Sequence, residues 1–327
     1  MRLLFMTNSA FLPGLCYLAL LIFYLPGTPG LRAQETGKPF PNSRFATTDS
    51  VTLHFRTWND SLPEVKGNVV LIHGFCGSTF CWRENIEALV RQHYRVVAVD
   101  LPGFGYSSRN LSNQSFSNRA RILWDFLALI GKGDTVKWNI VGHSMGGGIA
   151  EAMALMEPGR TRSLVLVDGM VFLKNQNLKG AFITSARIKG INQLYISIFE
   201  NKIITDHSIR RLLRNVYGYV PDSSVIGGYK RPLLLPGTSE SVIDMFAFSK
   251  ETVPLEATGL SSLPVLLIWG KKDHTIYPAT GKKLKRAVPS VQLEMIPRAH
   301  HSPMETHPSD FNPVLVRFLN SHQNGQK

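Results

Sequence analysis

The chain has 327 residues, 44% apolar and 18% charged, a balance that excludes a disordered or fibrous polymer and can supply a full hydrophobic core. Its formal charge is +13 at pH 7, which allows weak association with an anionic membrane surface. No helix-turn-helix, zinc-finger or aromatic RNA-binding pattern accompanies that charge, so nucleic acid is not the expected partner.

Residues 1–33 stand apart. Arg2 precedes an apolar run over 11–25 that Pro13 and Gly14 interrupt. The unbroken part, 15–25, is shorter than the ~20 residues a membrane-spanning helix needs. With Leu31-Arg32-Ala33 at its end, the segment reads as a secretory signal cleaved after Ala33, which makes the protein exported, periplasmic or secreted. An uncleaved N-terminal membrane anchor is the alternative. Two cysteines remain beyond it, Cys76 and Cys81, near enough in sequence to bridge in an oxidising compartment, with two free buried thiols slightly favoured.

The next stretch, 34–43, is polar with Gly and Pro and reads as an exposed linker. Residues 51–58 (VTLHFRTW) alternate with the period of a half-buried strand. Apolar runs at 68–73, 94–99, 136–141, 163–167, 264–269 and 291–296 have the length and continuity of strands buried on both faces. Helical patterns fall between and after them, at 82–92, 118–130, 145–157, 279–288 and 309–321. Such alternation predicts an α/β protein with a mostly parallel sheet flanked by helices.

The alternation stops between 170 and 259, where a helical piece at 208–216 precedes an irregular Pro-Gly stretch, RPLLLPGT, at 231–238. The expected organisation is a core first part over 34–169, an inserted cap or lid over 170–259 and a core second part over 260–327. Within the insertion, HSIRRLLRNV is basic and amphipathic. It is expected to lay its apolar side on the core and leave Arg210, Arg211 and Arg214 in water.

Ser144 is the natural centre of the chemistry. It stands in Gly142-His143-Ser144-Met145-Gly146, with a strand running into it and a small-residue helix leaving it, the context of a nucleophile elbow. Side chains at the two glycine positions would collide across so sharp a turn. The helix start offers the Met145 N–H to a developing oxyanion. After the strand at 68–73, His73-Gly74-Phe75-Cys76-Gly77-Ser78 forms a glycine-rich turn from which the Phe75 N–H can join it.

A nucleophilic serine needs a base, and the base an orienting carboxylate. Asp273 lies just beyond the strand at 264–269, and His300 and His301 just beyond the strand at 291–296, in the order Ser, Asp, His. Neighbouring residues on an extended loop point oppositely, so one histidine faces the serine; His301 is favoured. Asp168, ending the strand at 163–167, is a competing acid, and Asp100 is expected to stabilise its own turn. The group His300, His301, Glu305 and His307 lacks the helical spacing of zinc hydrolases, so no metal is expected.

These motifs resemble those of the α/β-hydrolase fold superfamily over residues 45–319: HGFCGS at His73, DLPGFGYS at Asp100, GHSMGG at Gly142, WGKKD at Trp269 and HHSPMETHP at His300. The resemblance is greatest to the capped esterase, lipase and carbon–carbon-bond hydrolase branch. It implies catalytic Ser144, Asp273 and His301, oxyanion donors at Phe75 and Met145, a helical cap and no cofactor. A GHSP-like string commonly carries the histidine there, which aligns His301 with the catalyst and His300 with the usual glycine. Serine at 144 argues against epoxide hydrolases and haloalkane dehalogenases, and GHSMGG departs from the GGSWG elbow of prolyl aminopeptidases. The expected activity is hydrolysis of a small-molecule carboxylic ester, carboxylesterase- or lipase-like. The alternatives are cleavage of a carbon–carbon bond in a diketone or dienone acid, with Arg187, Lys230 or Arg231 serving the acid, then aminopeptidase action or a slow-turnover ligand receptor.

Overall fold

Runs of valine, leucine and isoleucine five to eight residues long have no polar face to leave in water, so they are stable only inside a sheet covered on both sides. A computed structural model, describing residues 38–49, 51–109, 111–131, 136–171, 188–248 and 256–322, places them there. The strands are β1 (Ser43–Thr48), β2 (Val51–Trp58), β3 (Gly67–Ile72), β4 (Tyr94–Val99), β5 (Trp138–His143), β6 (Thr161–Val167), β7 (Val265–Gly270) and β8 (Gln292–Ile296). They lie in the order β1-β2-β4-β3-β5-β6-β7-β8. The β1/β2 and β2/β4 pairs are antiparallel, and the rest of the sheet is parallel.

Alternate residues of each inner strand feed two separate cores. From β3, Val70 and Ile72 join Phe126, Ile149 and Met153 on one face, while Val69 and Leu71 join Leu89, Phe311 and Leu315 on the other. The first face is covered by α2 (Phe116–Gly131), α3 (Met145–Met156) and α8 (Ala279–Ala287). The second is covered by α1 (Ile86–Val90) and α10 (Pro308–Ser321). Between β6 and β7 the chain leaves the sheet for a helical insertion: α4 (Lys189–Ile198) running into a π turn at Phe199–Ile203, α5 (Asp206–Tyr217), α6 (Ser223–Leu233) and α7 (Thr238–Phe248). In α5 the expected division holds, with Ile209, Leu213 and Tyr217 buried and Arg210, Arg211 and Arg214 exposed.

Several expectations are corrected. The helix read over 82–92 is split into a 3-10 turn at Thr79–Trp82 and the short α1, because the buried Asn85 between them turns its amide to the Met304 carbonyl and Asn312. The stretch at 231–238 is not irregular throughout: α6 carries Pro232 in its last turn, and α7 begins at Thr238. Ser43 is not an exposed linker residue but opens β1 and is buried. Cys76 and Cys81 are both free and buried. The leader at 1–33 lies outside the described residues, as do parts of the insertion at 172–187 and 249–255. No described helix is long and apolar enough to cross a membrane.

Ser43 has a particular reason to be inside. Its Oγ is 2.7 Å from His54 Nε2, and His54 Nδ1 is 2.7 Å from Asp100 Oδ2, all three residues buried. Asp100 also accepts the N–H groups of Thr79 and Tyr106. Burial alone would raise its pKa, but the hydrogen bond and charge of His54 and the Tyr106 N–H outweigh that and hold the carboxyl below its usual range. The relay fastens the antiparallel β1/β2 hairpin to β4 and to the turn beyond β3.

Ser43→Ala deletes a buried hydroxyl that serves both His54 Nε2 and the Phe40 N–H. The substitution is expected to cost about 1–3 kcal/mol in urea denaturation, with activity per folded molecule unchanged.

Candidate active site

β5 ends at His143, and α3 begins at Met145, so the chain reverses on one residue. Ser144 sits there with φ 53° and ψ −119°, a conformation costing ~1–3 kcal/mol that its surroundings must enforce. They do so through the backbone: the Ser144 N–H donates to the Val167 carbonyl at 3.0 Å, and the Ser144 carbonyl accepts from Gly147 and Met170 at 2.9 Å each. The flanking glycines are required by close approach. A Cβ on Gly142 would lie 2.2 Å from the Gly146 carbonyl oxygen, and one on Gly146 would lie 2.3 Å from that of His73.

His301 reaches this serine. Its Nε2 is 2.9 Å from Ser144 Oγ, and its Nδ1 is 2.8 Å from Asp273 Oδ2. An Nδ1–H donating to the carboxylate leaves Nε2 as the acceptor of the serine hydroxyl, the tautomer this network fixes. Asp273 is buried on the loop after β7. That loop is joined to the histidine loop by the Lys272 N–H, which donates to the Ala299 carbonyl at 2.9 Å, and is tied back to its own strand by the Trp269 indole, which donates to the Ile276 carbonyl at 2.8 Å. The N–H groups of Thr275 and Ile276 donate to Asp273 Oδ1. The adjacent His300 turns elsewhere, against His274 and Gly218.

The competing acid is present but differently ionised. Asp168 is buried at φ 43° and accepts the Gly270 N–H at 2.9 Å; its Oδ2 makes no hydrogen bond of normal geometry. Donor atoms of Asp168, Asp273 and His301 all lie within 4.8 Å of one another. Burial, and then the neighbouring charge of Asp273, push the Asp168 carboxyl well above its usual range. For Asp273 burial acts in the same direction, but the charge and hydrogen bond of His301 prevail and keep it below. Two buried carboxyls this close do not both ionise, and the one bonded to His301 keeps the charge.

A residue within the elbow motif has a role that spacing did not reveal. His143 is buried, lies 4.9 Å from the His301 ring between centroids, and donates from Nε2 to the His301 carbonyl at 2.7 Å. Burial, with the adjacent His301, pushes its pKa down to about 3, so it stays neutral and keeps that donor. The only sequence signal was its place beside Ser144.

The turn after β3 abuts the elbow, since a Cβ on Gly74 would lie 3.0 Å from Ser144 Cβ. His73 fixes the turn's shape: Nδ1 donates to the Gly74 carbonyl at 2.7 Å, and Nε2 accepts the Leu101 N–H at 2.9 Å. Phe75 follows, its ring 5.8 Å from that of Phe246 in α7. Among the described residues nothing accepts a hydrogen bond from the N–H of Phe75 or of Met145, the first residue of α3. Glu305, grouped by sequence with three histidines, is instead engaged by Arg83, Tyr217 and Tyr229. Arg187 lies outside the described residues, Arg231 is exposed, and Lys230 pairs with Asp206.

Comparison with known proteins agrees with the fold. The family described as alpha/beta hydrolase fold matches residues 67–308. The chain is 29% identical over 289 residues to the 2-hydroxy-6-oxononadienedioate/2-hydroxy-6-oxononatrienedioate hydrolase of Cupriavidus pinatubonensis, covering 85% of this chain and 95% of that protein. Among solved structures, a bacterial membrane phospholipase A superposes with a TM-score of 0.66 at 21% identity, covering 86% of this chain and 87% of the other. The enol-lactonase of Burkholderia xenovorans gives 0.65 at 18% identity, covering 85% and 100%. At such identities the two structures speak for the fold alone.

The neutral burial of His143 has a consequence for stability. Unfolded, it titrates near 6.5; folded, near 3. Its contribution is therefore fully retained above about pH 6.5 and lost as pH falls from there toward 3, because the unfolded chain binds the extra proton. His143→Gln, which can still donate to the His301 carbonyl, is expected to flatten the acid dependence. Between pH 7 and 5 wild type should lose ~2 kcal/mol more than the variant in urea denaturation.

Proposed function

Because the chain belongs to the α/β-hydrolase fold family, we propose that it is a serine hydrolase of carboxylic esters, with Ser144 as nucleophile, His301 as base and Asp273 as the acid that orients it. The observation that carries this reading is the unbroken relay from Ser144 Oγ through His301 to a carboxylate that stays ionised, at a strained turn beside two uncommitted N–H groups. His301 Nε2 takes the hydroxyl proton as Ser144 Oγ attacks the ester carbonyl, and Asp273 stabilises the imidazolium. The N–H groups of Phe75 and Met145 receive the oxyanion. The proton passes to the leaving alkoxide as the carbonyl reforms, and water then releases the acyl group by the same route.

A second reading draws on the Cupriavidus relative, whose name describes cleavage of a dienedioate: the same serine site acting on a carbon–carbon bond next to a carbonyl. Such a substrate is acidic and calls for a cation in its pocket. Of the candidates read from sequence, Lys230 is paired with Asp206, Arg231 is exposed and Arg187 lies outside the described residues. Export by way of residues 1–33 remains part of the proposal, on the pattern of that leader.

Hydrolysis of p-nitrophenyl esters graded in acyl length, run on wild type, Ser144→Ala, His301→Asn and Asp273→Asn, tests the reading. The first two changes are expected to lower kcat by about 10^4-fold or more, and Asp273→Asn by roughly 10^4-fold, with KM little changed. Wild-type rates in Ser144→Ala would refute the nucleophile assignment. Ester inertness together with turnover of a vinylogous diketone acid would select the second reading.

A further inference from the structure

His301 is held by its backbone as well as by its ring, and the backbone hold comes from the insertion. Its N–H donates at 2.9 Å to the carbonyl of Val216, in the last turn of α5. The chain then turns at once into α9 (Pro303–Thr306), whose first turn is closed by the Glu305 and Thr306 N–H groups on the Ser302 carbonyl. Four residues beyond His301, the Glu305 carboxylate points into a closed pocket with its side chain fully buried.

Three elements converge on that carboxylate. Tyr217 of α5 donates to Oε2 at 2.6 Å, Tyr229 of α6 donates to Oε1 at 2.5 Å, and Arg83, just past the 3-10 turn, pairs with Oε2. Arg83 is steadied in turn by the Phe80 ring, 4.3 Å from its guanidinium, and that ring meets Tyr229 edge-on at 5.9 Å. Burial raises the Glu305 pKa, against which Arg83 and the two phenols act. Nothing in this cluster touches Ser144. It does fix where α5 ends, and the end of α5 is what receives the His301 N–H.

We propose that Glu305 is a positioning residue for His301: by tying Tyr217, Tyr229 and Arg83 to the helix that follows the histidine loop, it sets where the Val216 carbonyl stands and hence how the imidazole meets Ser144. The proposal rests on the reading of His301 as the base. Glu305→Gln removes the charge that Arg83 opposes and turns an amide N–H toward a donor, so the arm made by α5 and α6 shifts. A displacement of the base by a fraction of an ångström suffices to slow proton transfer from Ser144.

The test is the second-order rate of Ser144 labelling by a fluorophosphonate, which needs no knowledge of the substrate. It is measured per folded molecule, well below each variant's Tm, on wild type, His301→Asn, Glu305→Gln and the double variant Tyr217→Phe/Tyr229→Phe. The last keeps the Arg83–Glu305 pair and guards against Glu305→Gln failing to fold. Both perturbed variants are expected to label about tenfold more slowly or worse. The far-downfield proton resonance of the His301 Nδ1–H should broaden or move in both. A lower Tm with labelling and resonance unchanged in the folded variants would mean a purely structural joint and overturn the proposal. Wild-type labelling in His301→Asn would instead refute the base assignment, and with it this proposal.

Discussion

Four separate elements of the fold meet at one peptide and one ring, those of His301. Its N–H is taken by α5, its carbonyl by His143 of the elbow strand, its Nδ1 by the loop after β7, and its Nε2 by the serine at the head of α3. Each hydrogen bond is worth only ~1 kcal/mol net, so their sum does not explain the fold. Their value lies in direction. Four constraints arriving from separate elements leave the imidazole little freedom to rotate or translate, and a ring fixed in this way would enter the proposed proton transfer with its orientation already set.

Among the described residues there are two Ser–His–Asp relays of nearly equal hydrogen-bond length, so the relay alone does not mark a candidate site. In the relay of Ser43, His54 and Asp100, the serine is buried, opens a regular edge strand and spends its oxygen on the Phe40 N–H as well as on the histidine. No face of it is open to a carbonyl carbon. In the relay of Ser144, the serine is only partly buried, projects from a strained turn and is abutted by the turn after β3 at Gly74. Exposure and backbone strain distinguish the two, and each depends on tertiary context.

That dependence also explains what the sequence could and could not disclose. The inner strands were legible because burial on both faces leaves an unbroken apolar run, and β4 spans the same residues as its pattern. The elbow was legible because a glycine stands on each side of its serine: that at 142 answers a collision within the turn, while that at 146 answers the end of β3. β1, by contrast, reads SRFATT, half of it exposed and without an apolar run, so that its first residue reads as part of the linker at 34–43 and only the pairing with β2 reveals the strand. In the insertion, α7 has weak periodicity, and Pro232 in α6 mimicked a break. Glu305 and His143 were misread or passed over for one reason: the partners of Glu305 come from Arg83, Tyr217 and Tyr229, and that of His143 is a backbone carbonyl 158 positions away.

Two carboxyls near the site, Asp168 and Glu305, face the same electrostatic difficulty, burial raising the pKa of both, but meet it with different partners. An unpaired carboxylate out of water is costly enough that it either finds donors or takes up a proton. Glu305 finds a guanidinium and two phenols. Asp168 has one backbone N–H and a charged neighbour, and takes the proton. The second outcome matters for the relay. Were Asp168 ionised, two negative charges would compete for the His301 Nδ1–H from different sides, and the ring would lose its single preferred direction. Its neutrality leaves Asp273, already anchored by Thr275 and Ile276, as the one anion that the imidazolium would meet. The choice between the two acids that the strand ends offered is thus made by donor count: Asp273 is supplied with enough hydrogen bonds to hold a charge, and Asp168 is not.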